Sequence, residues 1–205
     1  AEIEVLNEVD RICRQYDIQY FADWGTLLGT IRHKGFVPWD DDMDITMKRE
    51  DYTRFCQIVQ QEQGNLEIIN FHTDPEWKDM LSRVINGRNV NYTQEHLKKY
   101  HGFPYVAGLD IFPLDYVAPT EDEDEIHCSM ISIVEAFSAN IRNNTATPEE
   151  IEQTTKDIEQ MCGVKFNNLE ALATQLLKLG ERLSMMYTEK ESHAVALMGD
   201  HAGPR

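Results

Sequence analysis

Basic residues are scarce in this chain: 19 Lys and Arg stand against 36 Asp and Glu, a formal net charge of −17 over 205 residues. That balance argues against a general nucleic-acid binder, because phosphate backbones require clustered positive charge. It leaves open an anionic substrate bridged by a metal ion, which reverses the local sign. Cysteine is scarce too. Cys13, Cys56, Cys128 and Cys162 lie far apart, with no CxxC pair and no zinc-type spacing, so a structural zinc site is not expected. Cys13 and Cys56 fall on apolar helical faces and read as small buried hydrophobes in a reduced, cytosolic setting. There is no apolar run of membrane-spanning length and no signal-peptide pattern. Internal repeats and low-complexity linkers are also missing. The sequons Asn91-Tyr92-Thr93 and Asn143-Asn144-Thr145 carry no weight in the cytosol. The chain begins without Met, inside a helical pattern, which predicts a trimmed or partial chain.

The length suits one domain, or one domain with a helical extension. Val5, Leu6, Val9, Ile12, Cys13 and Tyr16 form a helical stripe. A short strand follows over Ile18 to Ala22, then a helix over Gly25 to Arg32 and a loop from His33 to Asp41. Asp42 to Met47 reads as a strand, and Arg49 to Gln61 as a helix with Tyr52, Phe55, Cys56 and Val59 inward. Further strands are expected at Leu66–Phe71, Met80–Ile85, near Val90 after an Asn86-Gly87 turn, and at Leu109–Phe112, stopped by Pro113. Beyond Pro119 the pattern turns helical. Thr120-Glu121-Asp122-Glu123 starts a helix with the stripe Ile126, Met130, Ile133, Val134, Phe137 and Ile141. Pro148 opens another helix, and Leu169, Leu172, Leu176, Leu179, Leu183 and Met186 mark a third. The tail from Gly199 to Arg205 reads as unstructured. This predicts an α+β fold, with a strand-rich core over 1–118 carrying the chemistry and a helical extension over 119–205 packed on it.

The most informative stretch is Phe36-Val37-Pro38-Trp39-Asp40-Asp41-Asp42-Met43-Asp44-Ile45-Thr46-Met47. Its crowded carboxylates repel one another, at a cost that grows as water is excluded. The plainer reading is a solvated acidic turn. Against it stands the period of two: Asp42, Asp44 and Thr46 on one face, Met43, Ile45 and Met47 on the other. Two carboxylates so spaced on a strand can share a divalent metal. Asp110, flanked by Leu109 and Ile111, is either an exposed edge-strand acid or a third carboxylate on a neighbouring strand. In the second case the three suit metal-assisted transfer at phosphorus, with one accepting the proton of an attacking hydroxyl. Asp23-Trp24-Gly25-Thr26 is a strand-to-helix turn, where Gly25 lets a ligand approach the backbone and the helix start offers N–H groups to an anion.

Trp24-Gly25-Thr26-Leu27-Leu28-Gly29, Arg32-His33-Lys34-Gly35-Phe36, Pro38-Trp39-Asp40-Asp41-Asp42-Met43-Asp44 and Asp110-Ile111-Phe112-Pro113-Leu114-Asp115 resemble the LicD family of phosphocholine transferases, to which fukutin-related protein is distantly similar. The resemblance implies a nucleotidyltransferase-like mixed sheet flanked by helices. It implies Gly25 and Thr26 at the turn, Asp42, Asp44 and Asp110 as catalytic and metal-binding acids, and Mg²⁺ or Mn²⁺ as cofactor. It also implies transfer of a phospho-alcohol, typically phosphocholine from CDP-choline or a similar CDP-alcohol, to a glycan or lipid-linked sugar acceptor. Peripheral membrane contact at the inner face follows from the same resemblance. The family's C-terminal segment rich in aromatic, Gly and Pro residues has no counterpart here.

Around these acids, Arg32, His33 and Lys34 either hold donor phosphate or pair with Asp40 and Asp41. Arg83 and Arg88 lie on or beside an expected strand, where either could reach the diphosphate; a plain surface arginine is the favoured reading of Arg88. Asp40 continues the alternation of Asp42. Trp39 either stacks on a base, faces a quaternary ammonium, or closes the core as a lid, the reading its setting favours. Asp115 reads as shaping a turn after Pro113. Two rivals remain: a nucleotidyltransferase using a nucleoside triphosphate, and a calcium-stabilised interaction domain. The acidic loop lacks the Gly and late Glu of an EF-hand, which weakens the second.

Overall fold

The computed structural model describes residues 1–62, 64 and 66–197; the expected unstructured tail lies outside the described residues. The chain divides into two compact units, one of residues 1–74 and 81–114, the other of 75–80 and 115–205. Helices and a mixed sheet make the fold α+β.

The first unit is built on the sheet order β1-β2-β5-β4-β3. These strands are β1 (Phe21–Ala22), β2 (Asp44–Lys48), β3 (Glu67–Ile69), β4 (Ser82–Ile85) and β5 (Gly108–Tyr116). β2 and β5 run parallel; the other pairs are antiparallel. Helices α1 (Glu2–Tyr16), α2 (Trp24–Arg32), α3 (Arg49–Gln61) and α4 (Gln94–Lys99) complete it. The stripe of α1 buries Val5, Val9, Ile12 and Cys13, and α3 buries Tyr52, Phe55, Cys56 and Val59, as their spacing predicts. They close over Met43, Ile45, Met47, Leu109 and Ile111 in one apolar cluster. Each such fully buried aliphatic side chain contributes roughly 1.5–3 kcal/mol. None of the four cysteines is in a disulfide, and Cys13 and Cys56 are buried.

Several expectations need correction. Asp42 and Met43 precede β2, because pairing with β5 begins at Asp44. No strand forms near Val90 among the described residues; α4 follows instead, capped by Thr93, whose hydroxyl accepts the His96 N–H. β5 passes straight through Pro113. Asp110 donates its N–H to Met43 on the β2 side, so Pro113, three residues on, turns its nitrogen the other way. There β4 has already ended at the Ser82–Ile111 pair, so no ladder bond is lost. Asp115 is accordingly a buried strand residue and shapes no turn.

The second unit carries α5 (Glu121–Arg142), α6 (Pro148–Cys162) and α7 (Leu172–Ser184), with β6 (Val195–Ala196) paired to Asp115 and Tyr116. α6 opens with a complete capping box between Thr147 and Glu150 and ends on Gly163 in the left-handed region. The buried face of α5 keeps Val134 and Phe137 of the expected stripe, with Met130 and Ile141 packed against the same cluster, but differs from it at other positions. His127, Ile131, Val134 and Ser138 are inside, whereas Ile126 and Ile133 are exposed. Polar His127 is admitted because its Nε2 reaches the Leu183 carbonyl at 2.7 Å. α7 stops at Ser184, leaving Met186 in water. Among the described residues, no helix is long and apolar enough to cross a membrane.

Candidate active site

Asp44 and Asp110 are register partners on the adjacent parallel strands β2 and β5. Partners in register share a face of the sheet. Ile45 and Ile111, one step on, point into the core; Asp44 and Asp110 lie partly buried on the opposite face. Two extended segments therefore place Asp44 and Asp110 side by side. Asp42 lies just upstream of β2, exposed.

The electrostatics follow from this crowding. Burial first, then Asp42, Asp110, Asp40 and Asp23, push the Asp44 carboxyl up to about 6. Asp42 is also raised, by desolvation and then by Asp40, which both repels it and hydrogen-bonds to it. Asp110 is paired with an arginine. Arg83, its register partner on β4, donates Nε to Oδ1 and an Nη to Oδ2, both at 2.6 Å. The fork engages both carboxylate oxygens. Among the described residues, no three His, Cys, Asp or Glu side chains stand together so as to hold a metal ion as they are.

The turn before α2 is organised by the same acids. Asp23 caps the helix, its Oδ1 accepting the Trp24 N–H at 2.8 Å. Its own N–H donates to the Asp44 carbonyl. Thr26 Oγ1 accepts the Asp44 N–H at 2.8 Å and so ties α2 to the first residue of β2. The space over Gly25 is taken by Asp40, whose Oδ2 would lie 1.9 Å from a Cβ there. Gly29 is equally constrained: a Cβ would sit 2.5 Å from the Gly35 carbonyl. That close approach folds the loop back so that the acidic run reaches the sheet. Trp24 adopts φ 40°, a left-handed conformation costly for a bulky residue, and its ring meets Phe112 edge-on at 4.2 Å.

The remaining predicted residues scatter around this centre. Arg32 and His33 end α2, and Arg32 Nε donates to His33 Nδ1 at 3.4 Å. Lys34 is exposed, in the left-handed region. Among the described residues no ion pair joins these three to Asp40 or Asp41. Trp39 is no lid: it is 79% exposed, its ring 6.4 Å from that of His33. Arg88 makes surface ion pairs with Glu67 and Asp74. Asp23 was not singled out in the sequence, although an acid directly before a helix is a recognisable cap signal. Gly29 and the Trp24–Phe112 contact left no signal of their own beyond the motif.

The family described as LicD/FKTN/FKRP, nucleotidyltransferase domain, matches residues 17–173. Among curated proteins, the lipopolysaccharide cholinephosphotransferase LicD of Haemophilus influenzae is 47% identical over 60 residues, 29% of this chain and 23% of that protein. Uncharacterized proteins of Rickettsia typhi and Rickettsia prowazekii are 38% and 36% identical over 58 residues, 28% of this chain in each case and 19% and 22% of theirs. The chain thus spans about a fifth of the length of these relatives. No solved structure matches.

Proposed function

Because the chain belongs to the LicD/FKTN/FKRP nucleotidyltransferase-domain family, we propose that it is a metal-dependent phosphotransferase. It moves a phospho-alcohol, phosphocholine from CDP-choline in the first instance, to a hydroxyl of a cell-surface glycan precursor such as a lipopolysaccharide or teichoic acid unit. The observation that carries this reading is the side-by-side placement of Asp44 and Asp110, with Asp42 and Asp40 close enough to perturb the site.

The donor set fits a hard divalent cation. Asp42, Asp44 and Asp110 offer only oxygen, the choice of Mg²⁺ or Mn²⁺, and their mutual repulsion marks a deficit of positive charge. When bound there, such an ion supplies neutralisation of the diphosphate and of the departing CMP. The chain's own residues do the rest. Arg83 is within one strand of the acids and offers a planar fork for phosphate oxygens. Arg32 and Lys34 add exposed positive charge to a chain otherwise strongly acidic, with the exposed His33 imidazole between them. The indole of Trp39, open to solvent, suits stacking on cytosine or a cation–π contact with a quaternary ammonium. Asp40 also borders a groove of ≈ 350 Å³ with Phe36, Phe103 and Val106, apolar enough for part of the donor. As the acceptor oxygen attacks phosphorus, its proton passes to Asp110 and CMP departs with its bonding electron pair.

The family description keeps one alternative alive, transfer of the nucleotide itself. Incubation with CDP-choline, Mg²⁺ and a glycan acceptor tests the choice. Release of CMP with choline phosphate on the glycan supports the proposal. Release of pyrophosphate from a nucleoside triphosphate, with no CMP from CDP-choline, supports the alternative.

A further inference from the structure

The bidentate pair between Arg83 and Asp110 bears on how the site is loaded. Arg83 sits on β4 directly opposite Asp110, and both guanidinium contacts are 2.6 Å. The Asp110 side chain is only 13% exposed, that of Arg83 47%. The acid is therefore largely covered, while the arginine side chain keeps nearly half of its surface in solvent. A carboxylate engaged at both oxygens by an arginine fork is a poor ligand for a second cation, because its charge is already met.

We propose that Arg83 is an internal counter-ion for Asp110 that a divalent cation displaces, and that the released guanidinium then receives the donor's phosphate. Arg83 thereby sets an order of binding, metal first and nucleotide second. The inference rests on the metal reading above, but not on which alcohol is transferred. Register explains why Arg83 can serve both partners. A half-exposed arginine reaches the acid through its tip, so rotation about its terminal bonds carries the fork away from Asp110 without moving β4. The chain's excess of 36 acids over 19 bases makes such a counter-ion valuable when no metal is bound.

The proposal predicts opposite effects on two ligands from one substitution. Mn²⁺ affinity is measured by electron paramagnetic resonance on the metal-stripped protein, without any donor. CDP affinity is then measured by calorimetry in saturating Mn²⁺. In Arg83→Met, Mn²⁺ binds tighter, on the order of tenfold for a partly exposed pair, while CDP binds on the order of tenfold weaker. Arg83→Lys, which keeps the charge but not the fork, falls between the two proteins on both scales. Thermal melts in EDTA and in Mn²⁺ check folding, with a larger Mn²⁺-induced rise in Tm for Arg83→Met than for the parent. Unchanged or weaker Mn²⁺ binding in Arg83→Met, with Asp110→Asn still losing Mn²⁺, overturns the counter-ion role alone. If Asp110→Asn leaves Mn²⁺ binding of the parent intact, or if the parent binds no Mn²⁺, the metal reading fails and this inference fails with it.

Discussion

Replacing Asp44 by Asn removes one negative charge from the most crowded point of the site while keeping the side-chain shape. In the metal-free protein, burial and the neighbouring acids push this carboxyl up from 3.8 to about 6. A rise of that size corresponds to roughly 3 kcal/mol at neutral pH if unscreened. Asp44 is only half-buried, so we discount this to roughly 1–2 kcal/mol. The sign follows from proton linkage. The folded state holds the Asp44 proton more tightly than the unfolded chain, so wild-type stability falls as pH rises from about 4 through about 6. Asp44→Asn mimics the protonated form and does not pay this penalty. In EDTA at pH 7.5 it melts about 2–6 °C above wild type by circular dichroism, and near pH 4 the two coincide. If the acids hold Mg²⁺ as proposed, Mg²⁺ reverses the order by stabilising wild type and leaving the variant little changed, and the proposed turnover of CDP-choline falls about a hundredfold or more. Were Asp44→Asn to melt below wild type in EDTA at pH 7.5, or to share its pH profile, the mutual-repulsion argument would be refuted.

Gly25→Ala places a methyl group 1.9 Å from Asp40 Oδ2; the carboxylate must move, costing about 1–3 kcal/mol in urea unfolding together with most of the activity. Thr26→Val leaves the Asp44 N–H without its 2.8 Å acceptor. It destabilises by about 1–3 kcal/mol, while Thr26→Ser stays within ~0.5 kcal/mol of wild type, again by urea midpoint. Trp39→Ala, at a position 79% exposed, leaves Tm within experimental scatter but raises KM for CDP-choline about tenfold if the indole holds the donor. An unchanged KM removes Trp39 from the site.

What could be read from the chain differs by kind of signal. Helical stripes were legible where one face meets one core: the buried positions of α1 and α3 are those their spacing predicts. The stripe of α5 was legible in part: Val134 and Phe137 are buried as expected, but His127, tied to the Leu183 carbonyl, is buried while Ile126 is exposed. No periodicity reports such a partner. The stop expected at Pro113 failed for a related reason. Proline breaks a ladder only where its missing N–H had an acceptor, and β4 ends before that point. The exposure of Trp39 was missed because apolarity alone does not say which side of a loop faces water.

The alternation from Met43 to Met47 and the density of acids before it determined that carboxylates would gather at the start of a strand, since side-chain direction there has a strict period of two. Only the tertiary structure decided which distant residues join them. The parallel register of β2 and β5 puts Asp110 beside Asp44, and the antiparallel register of β4 puts Arg83 onto Asp110. Both pairings are long-range choices, made by which strands share the buried face of Ile45 and Ile111, and local sequence carries no record of them.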